Sequence, residues 1–580
     1  MANFYRDNAD ILFHMRNLDL TRVIDLKEDG FSKKESSPYA PEDEADALDN
    51  YDRVLEIVGE IAGDFADPRA REVDEEGARF ADGEVTYPKG IQETVARINQ
   101  ADLAGFTMPR EYGGINMPIT IFSAAIEIIS RADASLMLVF GLQGLSDTIY
   151  KFGSEEQKNR HLPRFASGAV MGSMALTEPD SGSDLQSVML RAHQDEDGTW
   201  RLNGVKRFIT NGCGDISLVM ARSEEGTTSG RGLSLFIYER DQDMKIRRIE
   251  HKLGITGSPT CEIQFNNAKA ELLGKRKLGL IKYTIYLMNG ARLAVAAQAV
   301  GIAEAAYRKA YAYANDRTQF KQPIRNFAVI YEMLTDMKVA IEAARSLIYE
   351  TSRIVDIKEG LEDRVEKHPD RTADLKNDRK RYTRFASLFT PLAKSSAAEM
   401  ANKVCYDAIQ IHGGVGFTKE FDVERHYRDA RITNIYEGTT QLQAVAALGG
   451  IIAGVVSERL SEYEENYDFS TILDLFQFAQ KMRSHLEMAI SFIKEKGDTV
   501  YQEYHATRLV NMTTDVINAY LLCQNARHSD RKKTVAQLFI AKADLRVKST
   551  LDYILTDDHS LIDLHAEIID KEEEGPFNQP

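Results

Sequence analysis

Apolar residues recur at three-to-four spacing through Tyr51–Phe65 and Ile119–Ile129, the period that gathers them on one face of a helix. With a turn at Gly113-Gly114 between the two stretches, residues 1–170 are expected to form a helical domain preceded by an N-terminal arm. The period changes near residue 171. Ile216–Ala221 and Leu233–Tyr238 are rich in β-branched or aromatic residues, and Asn203-Gly204 and Asn211-Gly212 are dipeptides favoured in hairpin turns. Residues 171–279 are therefore expected to be antiparallel sheet. From Leu280 the helical period returns, and Ala291–Tyr313 is dense in alanine and free of proline. This second helical domain is expected to run over 280–455. Its charged stretch 356–384, which contains Pro369, reads as a solvated excursion between helices.

A further helical domain is expected over 456–580, from the periods in Ile472–Ile493 and Val510–Leu522, and it ends in the acidic Asp570–Glu574. There the spacing predicts an apolar face made of Leu473, Leu475, Phe476, Phe478 and Ala479, which must pack on something. The class is α+β, in the order helical, β, helical, helical.

Composition fits this picture. At 580 residues the chain exceeds what one core organises, and 43% hydrophobic with 28% charged residues is a globular balance. Seventy-two Lys+Arg against 89 Asp+Glu give a net charge of −17, which works against binding nucleic acid. The cysteines Cys213, Cys261, Cys405 and Cys523 have no CxxC spacing, so neither a disulfide framework nor a metal cage is expected. Met1–Arg16 lacks the apolar core of a signal peptide. The longest uncharged apolar run, Ala444–Val456, is short of the roughly 20 residues that span a bilayer. A cytoplasmic protein without an integral membrane segment is expected.

Five segments carry candidate chemistry. Leu176–Asp184 (LTEPDSGSD) reads either as a tight turn or as a glycine- and hydroxyl-rich backbone that approaches a ligand. Phe208–Gly212 (FITNG) reads likewise as a hairpin end or a ligand contact. Arg317–Phe320 (RTQF) follows a long helix, where the guanidinium would either grip a phosphate bidentately or cap the helix. Gln410–Gly416 (QIHGGVG) has closely spaced glycines; His412 in it is expected to be a packed or surface residue. The fifth, Asn434–Gln443 (NIYEGTTQLQ), holds a capping-box pattern, Thr440-x-x-Gln443, so a helix should begin there. Glu437 then sits just outside a helix N-terminus beside Gly438. It is either a dipole-compensating charge or, if an apolar pocket desolvates it, a general base.

Together, in this order and spacing over roughly residues 50–450, the five segments resemble the flavin-dependent acyl-CoA dehydrogenases. The resemblance implies that family's fold, with a middle β-barrel, together with FAD, an acyl-CoA substrate, an electron-transfer flavoprotein as electron acceptor, and a homodimer. It further implies that Met174, Leu176, Thr177 and Ser183 line the cofactor, that Phe208 and Thr210 lie against the isoalloxazine, and that Thr439 and Gln441 touch it from the other side of the base. Arg317, Gln319, Phe320, Gln410 and Gly414 would hold FAD across a subunit boundary. Ser183, Asn289, Arg292 and Gly438 match positions that meet the substrate, and Glu437 matches the catalytic base. Some relatives carry the base at the position of Ala291, where alanine cannot serve.

Departures from the family pattern are Met174 for an aromatic residue, Phe208 for tryptophan, Lys321 for glycine and Ala328 for glutamine. Length, the charged stretch, the tail and KLGITGSPTCE at Lys252–Glu262 resemble the long bacterial branch that includes 3-methylmercaptopropionyl-CoA dehydrogenase. The implied activity is α,β-dehydrogenation of an acyl-CoA thioester, as in fatty acid β-oxidation. An acyl-CoA oxidase using O₂ and a non-catalytic, DNA-binding flavoprotein relative share the same motifs and stay open on sequence.

Overall fold

The computed structural model describes residues 2–35, 37, 39–367 and 373–570. The chain forms two compact units. One is the chain up to Ala386 together with Ala393–Thr440; the other is Ser387–Leu392 together with the chain from Gln441 onward.

In the first unit the N-terminal region is helical, as its periodicity predicts, with α1 at Glu44–Glu60 and the almost wholly buried α2 at Ile119–Ala132. A small hairpin that the helical reading overlooked pairs β1 (Arg79–Ala81) with β2 (Glu84–Thr86), turning at Asp82-Gly83, where both φ angles are positive. Asp-Gly is the dipeptide such a turn asks for.

Residues 172–273 fold into a seven-stranded sheet: β3 (Gly172–Ala175), β4 (Arg191–Gln194), β5 (Trp200–Thr210), β6 (Ile216–Arg222), β7 (Leu233–Glu239), β8 (Met244–Ile249) and β9 (Thr260–Leu273). Its order is β3-β6-β4-β5-β9-β7, and the additional pairing of β6 with β7 closes it into a barrel. The sheet is not wholly antiparallel, because β3 runs parallel to β6. Strand β6 is buried along its whole length. Val219 and Ala221 face the barrel core with Trp200, Phe236 and Phe265, while Leu218 and Met220 join Leu145, Ile149 and Phe165 of the helical region. Two buried faces explain why ISLVMAR reads as an unbroken apolar run instead of an alternation.

Neither Asn-Gly pair makes a hairpin. Gly204 lies inside β5 at a register shift after Leu202, with φ +140° and Leu190 pressed against its Cα; a glycine within a strand marks such a bulge. Asn211-Gly212 does turn the chain, but β4 separates β5 from β6 in the sheet, so the flanking strands are not paired.

Three long helices follow: α3 (Ile285–Asp316), α4 (Ala328–Lys367) and α5 (Ala373–His412), then the short α6 (Val423–Arg431). Most of the charged stretch is thus helix, which corrects the solvated excursion; Pro369 lies outside the described residues. Asp356 is buried, and its carboxylate accepts from the backbone N–H groups of Ile119 and Thr120 at 2.7 and 2.9 Å and from the Thr120 hydroxyl. It therefore satisfies orphan donors at the start of α2. Burial pushes its pKa up to about 6 against the lowering by these donors.

Arg345 on α4, fully buried, donates to Glu127 of α2, Glu304 of α3 and Asp10 of the N-terminal arm, binding four segments at one point. The segment 279–316, which includes α3, is long and apolar enough to cross a membrane, and over half of its most apolar stretch is buried inside the protein. All four cysteines are free and buried.

In the second unit, α7 (Thr440–Ile452) packs Gly450 against Leu388, which is why the unit starts before Val456. The tail helices α8 (Leu473–Lys496), α9 (Ala506–Ala526) and α10 (Asp530–Leu555) pack mutually. The buried face of α8 is Phe476, Ala479, Met482, Leu486, Ala489, Ile490 and Ile493. Leu473 and Phe478 point outward and Leu475 is half-buried, so the expected face is rotated toward the 3.6-residue period. Of the acidic end, Asp570 is exposed and Glu572–Glu574 lie outside the described residues.

Candidate active site

The loop after α6 has an unusual backbone. Glu437 has φ +55° and Gly438 has φ +91°, so two successive residues are left-handed just ahead of α7. For glutamate this conformation is strained, and strain of this kind persists only where neighbours enforce it. Here they do. Tyr436 donates from its hydroxyl to Gln298 of α3, whose amide donates to the Ala134 carbonyl. The Arg292 Nε–H donates to the Glu437 carbonyl at 3.3 Å, and its Nη1 donates to Asn289 Oδ1 at 3.1 Å. Lys394, fully buried on α5, donates from Nζ to the Gly438 carbonyl at 2.7 Å. The Thr440 hydroxyl donates to Glu399 of α5 at 2.9 Å, and α7 begins at Thr440, where the capping pattern placed a helix start.

Burial raises the Glu437 pKa above the ordinary carboxylate value, outweighing the lowering by Arg292 and then Lys394. A raised, positioned carboxylate beside two cations is what a general base near neutral pH requires. Of the substrate-binding candidates, Asn289, Arg292 and Gly438 are therefore brought together with Glu437. Ala291 is next in sequence to Arg292 on α3. Lys394 had no signal in a sequence read by motifs, because a single lysine in a helical run looks like any surface lysine.

A second assembly lies on the barrel. The segment 176–184 is a tight loop: the Glu178 and Ser181 main chains bond each other, and the Ser181 hydroxyl donates to the Asp184 carbonyl. Both the turn reading and the ligand reading of this segment are therefore compatible with its shape. Its anchor is the buried Glu178 carboxylate, which accepts from the Met189 and Leu190 N–H groups and from the fully buried Lys206. Lys206 also donates to the Leu176 carbonyl, and burial lowers its pKa to about 8. Neither residue stood out in the sequence.

Strand β5 bulges between Lys206 and Ile209, and the Arg207 N–H leaves the ladder to donate to the Thr177 carbonyl at 2.9 Å. Phe208, at φ +60°, is turned out and 52% exposed, with the Arg207 guanidinium over its ring at 4.6 Å. Bulges re-aim side chains in this way beside binding sites. Thr177, Met174 and Thr210 are half-buried nearby on these segments, and Ser183 is exposed. An apolar ring and hydroxyl- and amide-bearing main chain on adjoining segments fit a flavin, whose faces are apolar and whose edges are polar.

A third group is formed by the ends of α3 and α5. Tyr313 stacks on the buried His412, with centroids 4.4 Å apart, so His412 is a packed residue. The Arg317 N–H closes α3 on the Tyr313 carbonyl, and its exposed guanidinium has no partner among the described residues. Gln319, Gln410 and Gly414 are exposed, Phe320 is 88% exposed, and a Cβ on Gly413 or Gly414 would meet only open space. Phe417, which the motif reading passed over, is exposed beside them. Thr439 is half-buried, and Gln441 is exposed on the first turn of α7.

The Lys252–Glu262 segment docks by main chain. Gly254 lies against Arg428, the Ile255 N–H donates to Asp429, and Lys252 donates to the Ser258 carbonyl and the Thr260 hydroxyl.

A helical domain, a closed barrel with a turned-out aromatic residue, and a helical domain carrying a strained glutamate define a flavin-dependent dehydrogenase fold. The chain belongs to the acyl-CoA dehydrogenase family: its N-terminal, middle and C-terminal domain models match 49–169, 173–268 and 281–447, and the model "Acyl-CoA dehydrogenase C terminal" matches 453–559. It is 35% identical over 432 residues to 3-methylmercaptopropionyl-CoA dehydrogenase of Ruegeria pomeroyi, covering 69% of this chain and 70% of that one.

Among solved structures, a chain from that of the electron transferring flavoprotein of Acidaminococcus fermentans is 30% identical, with a TM-score of 0.59, over 69% of this chain and 96% of that one. The acyl-CoA dehydrogenase of Bacillus anthracis complexed with FAD matches in fold over 88% of both chains, with a TM-score of 0.72 at 24% identity. The enzyme is thus an FAD-dependent acyl-CoA dehydrogenase of the family's long form.

Proposed function

We propose that the enzyme converts an acyl-CoA thioester to a trans-2-enoyl-CoA with Glu437 as the base. The observation that carries this is the left-handed Glu437-Gly438 turn, whose two carbonyls accept from Arg292 and Lys394 and whose glutamate carboxyl is raised in pKa by desolvation. Glu437 would take the α-proton from the thioester. A main-chain N–H near Glu437 would donate to the thioester carbonyl, which must be polarised for that proton to leave. Desolvation of its carboxyl keeps Glu437 basic, and a bound thioester would exclude further water. FAD, when bound, supplies the acceptor for the β-hydride. Thr177, Phe208 and Thr210 would orient its ring, and Arg317, Gln319, Phe320, Gln410 and Gly414, exposed at the ends of α3 and α5, would hold FAD of a second copy in a homodimer.

Electrons would pass to an electron-transfer flavoprotein, a reading supported by the family and by the likeness to a chain from such a structure. A place in β-oxidation and in the cytoplasm fits four free cysteines and this chemistry. The tail from about Val456 onward would hold the assembly at two subunits.

The test is a panel of short, branched, aromatic and thioether acyl-CoAs mixed anaerobically with the FAD-loaded enzyme. At least one should bleach the flavin, and reoxidation should be fast with electron-transfer flavoprotein and slow with O₂. Fast reoxidation by O₂ would make the enzyme an oxidase, and no bleaching by any thioester would defeat the reading. Sedimentation at micromolar concentration should give a dimer of the full chain; a stable tetramer contradicts the proposed role of the tail.

A further inference from the structure

Lys394 is a lysine where packing alone calls for an apolar residue. Its neighbours on α5, Leu392, Ala393, Ala397 and Ala398, are all fully buried, as is Lys394 itself. A buried ammonium is costly without compensation, and replacing such a charge by an apolar residue of similar volume is often neutral or stabilising. The compensation here points to the active loop. Nζ donates to the Gly438 carbonyl at 2.7 Å. Of the charges acting on the ammonium, the Glu437 carboxylate is the strongest, ahead of Arg292 and Glu399.

The charged and titratable groups around Glu437 are few. Arg292 faces it from α3, Lys394 faces it from α5 with Glu399 one turn further along, and Tyr436 lies beside it on the loop. Arg292 and Lys394 divide the main chain between them, one on the carbonyl of residue 437 and the other on that of residue 438. Gly438, with φ +91°, lies outside the right-handed helical region just ahead of α7. A donor fixed in the core at that carbonyl holds the left-handed pair in place.

We propose that Lys394 is a positioning residue for the base: its buried ammonium pins the Gly438 carbonyl and keeps the Glu437 carboxylate ionised. Arg292 also donates to Asn289, whereas Lys394 donates to the loop. The inference rests on Glu437 being the base, yet its test can be read without turnover. Burial lowers the Lys394 pKa to about 8, so the cation is present at neutral pH.

The experiment uses the full-length, FAD-loaded enzyme and the variants Lys394→Met, which removes charge and donor, and Lys394→Gln, which keeps a donor without charge. The Glu437 carboxyl is titrated by infrared difference spectroscopy, its band assigned by loss in Glu437→Gln. Both variants should raise that carboxyl's midpoint by about one pH unit or more, since a cation has been removed from beside it. The acid limb of anaerobic flavin bleaching should move up by the same amount. Lys394→Arg, which restores the charge, should return the midpoint toward wild type.

An unmoved carboxyl midpoint in FAD-loaded variants overturns the proposal. So does failure of both Lys394→Met and Lys394→Gln to fold, which would give Lys394 a purely structural role. If Glu437→Gln keeps its turnover, the base assignment falls, while the infrared shift still decides whether Lys394 governs the ionisation of Glu437.

Discussion

The Arg292 Nε–H donates to the backbone carbonyl of Glu437 at 3.3 Å, from a helix 145 residues earlier in the chain. The contact grips the main chain of the residue proposed as the base.

From this follows the first expectation. Glu437→Gln should fold, bind FAD and stay yellow, yet lose nearly all dehydrogenation, because an amide keeps the shape but accepts no proton. In the wild type the Glu437 pKa is raised, so the active carboxylate form is gained only as pH climbs through a value above the ordinary 4.5. The acid limb of the rate of anaerobic bleaching should lie above that value. An acid limb at or below 4.5, or turnover by the Gln variant, would remove Glu437 from its role.

Arg317→Ala should leave stability within about 0.5 kcal/mol, since its guanidinium is exposed and has no partner among the described residues. FAD retention should fall about tenfold or more if the side chain makes a charge-assisted phosphate contact. Flavin content after long dialysis measures this. Unchanged content would leave Arg317 as the closing residue of α3 and no more.

Arg345→Met removes the cation shared by three buried carboxylates, those of Asp10, Glu127 and Glu304, of which Glu304 keeps Arg308 and Lys338. Breaking a buried network from one side costs about 3–5 kcal/mol, and the N-terminal arm should loosen because Asp10 is one of its anchors. Urea unfolding followed by flavin fluorescence and by limited proteolysis near residue 10 checks both effects. A loss below about 1 kcal/mol would show that the cluster is compensated elsewhere.

Gly204→Ala places a Cβ 3.1 Å from the Leu190 Cα at φ +140°, a backbone that side chains rarely adopt. It should destabilise the barrel by about 1–3 kcal/mol and leave the α3–α5 site chemistry intact. Equal stability with altered bleaching rates would contradict a purely structural bulge.

Three-to-four spacing located α1, α2, α8 and α9, alanine density located α3, and runs of β-branched and aromatic residues located β6 and β7. The motifs brought out Glu437, Thr177, Phe208 and Arg317 for a different reason: their residue types are set by chemistry at short range. Helix α4 escaped because its charged run hides buried groups. Asp356 is charged in sequence, yet it caps α2 from across the fold.

Asn203-Gly204 misled because a glycine within a strand and a glycine at a turn look alike until the partner strand is known. What sequence determined by itself was the order of helical and β regions, written in local spacing, while its motifs, through the resemblance they carry, put forward Glu437 as the candidate base. Only the tertiary structure decided that Lys394, Lys206 and Glu178 stand behind the site. Their roles come from burial and from neighbours 44, 30 and 12 residues away, distances over which spacing along the chain carries no signal.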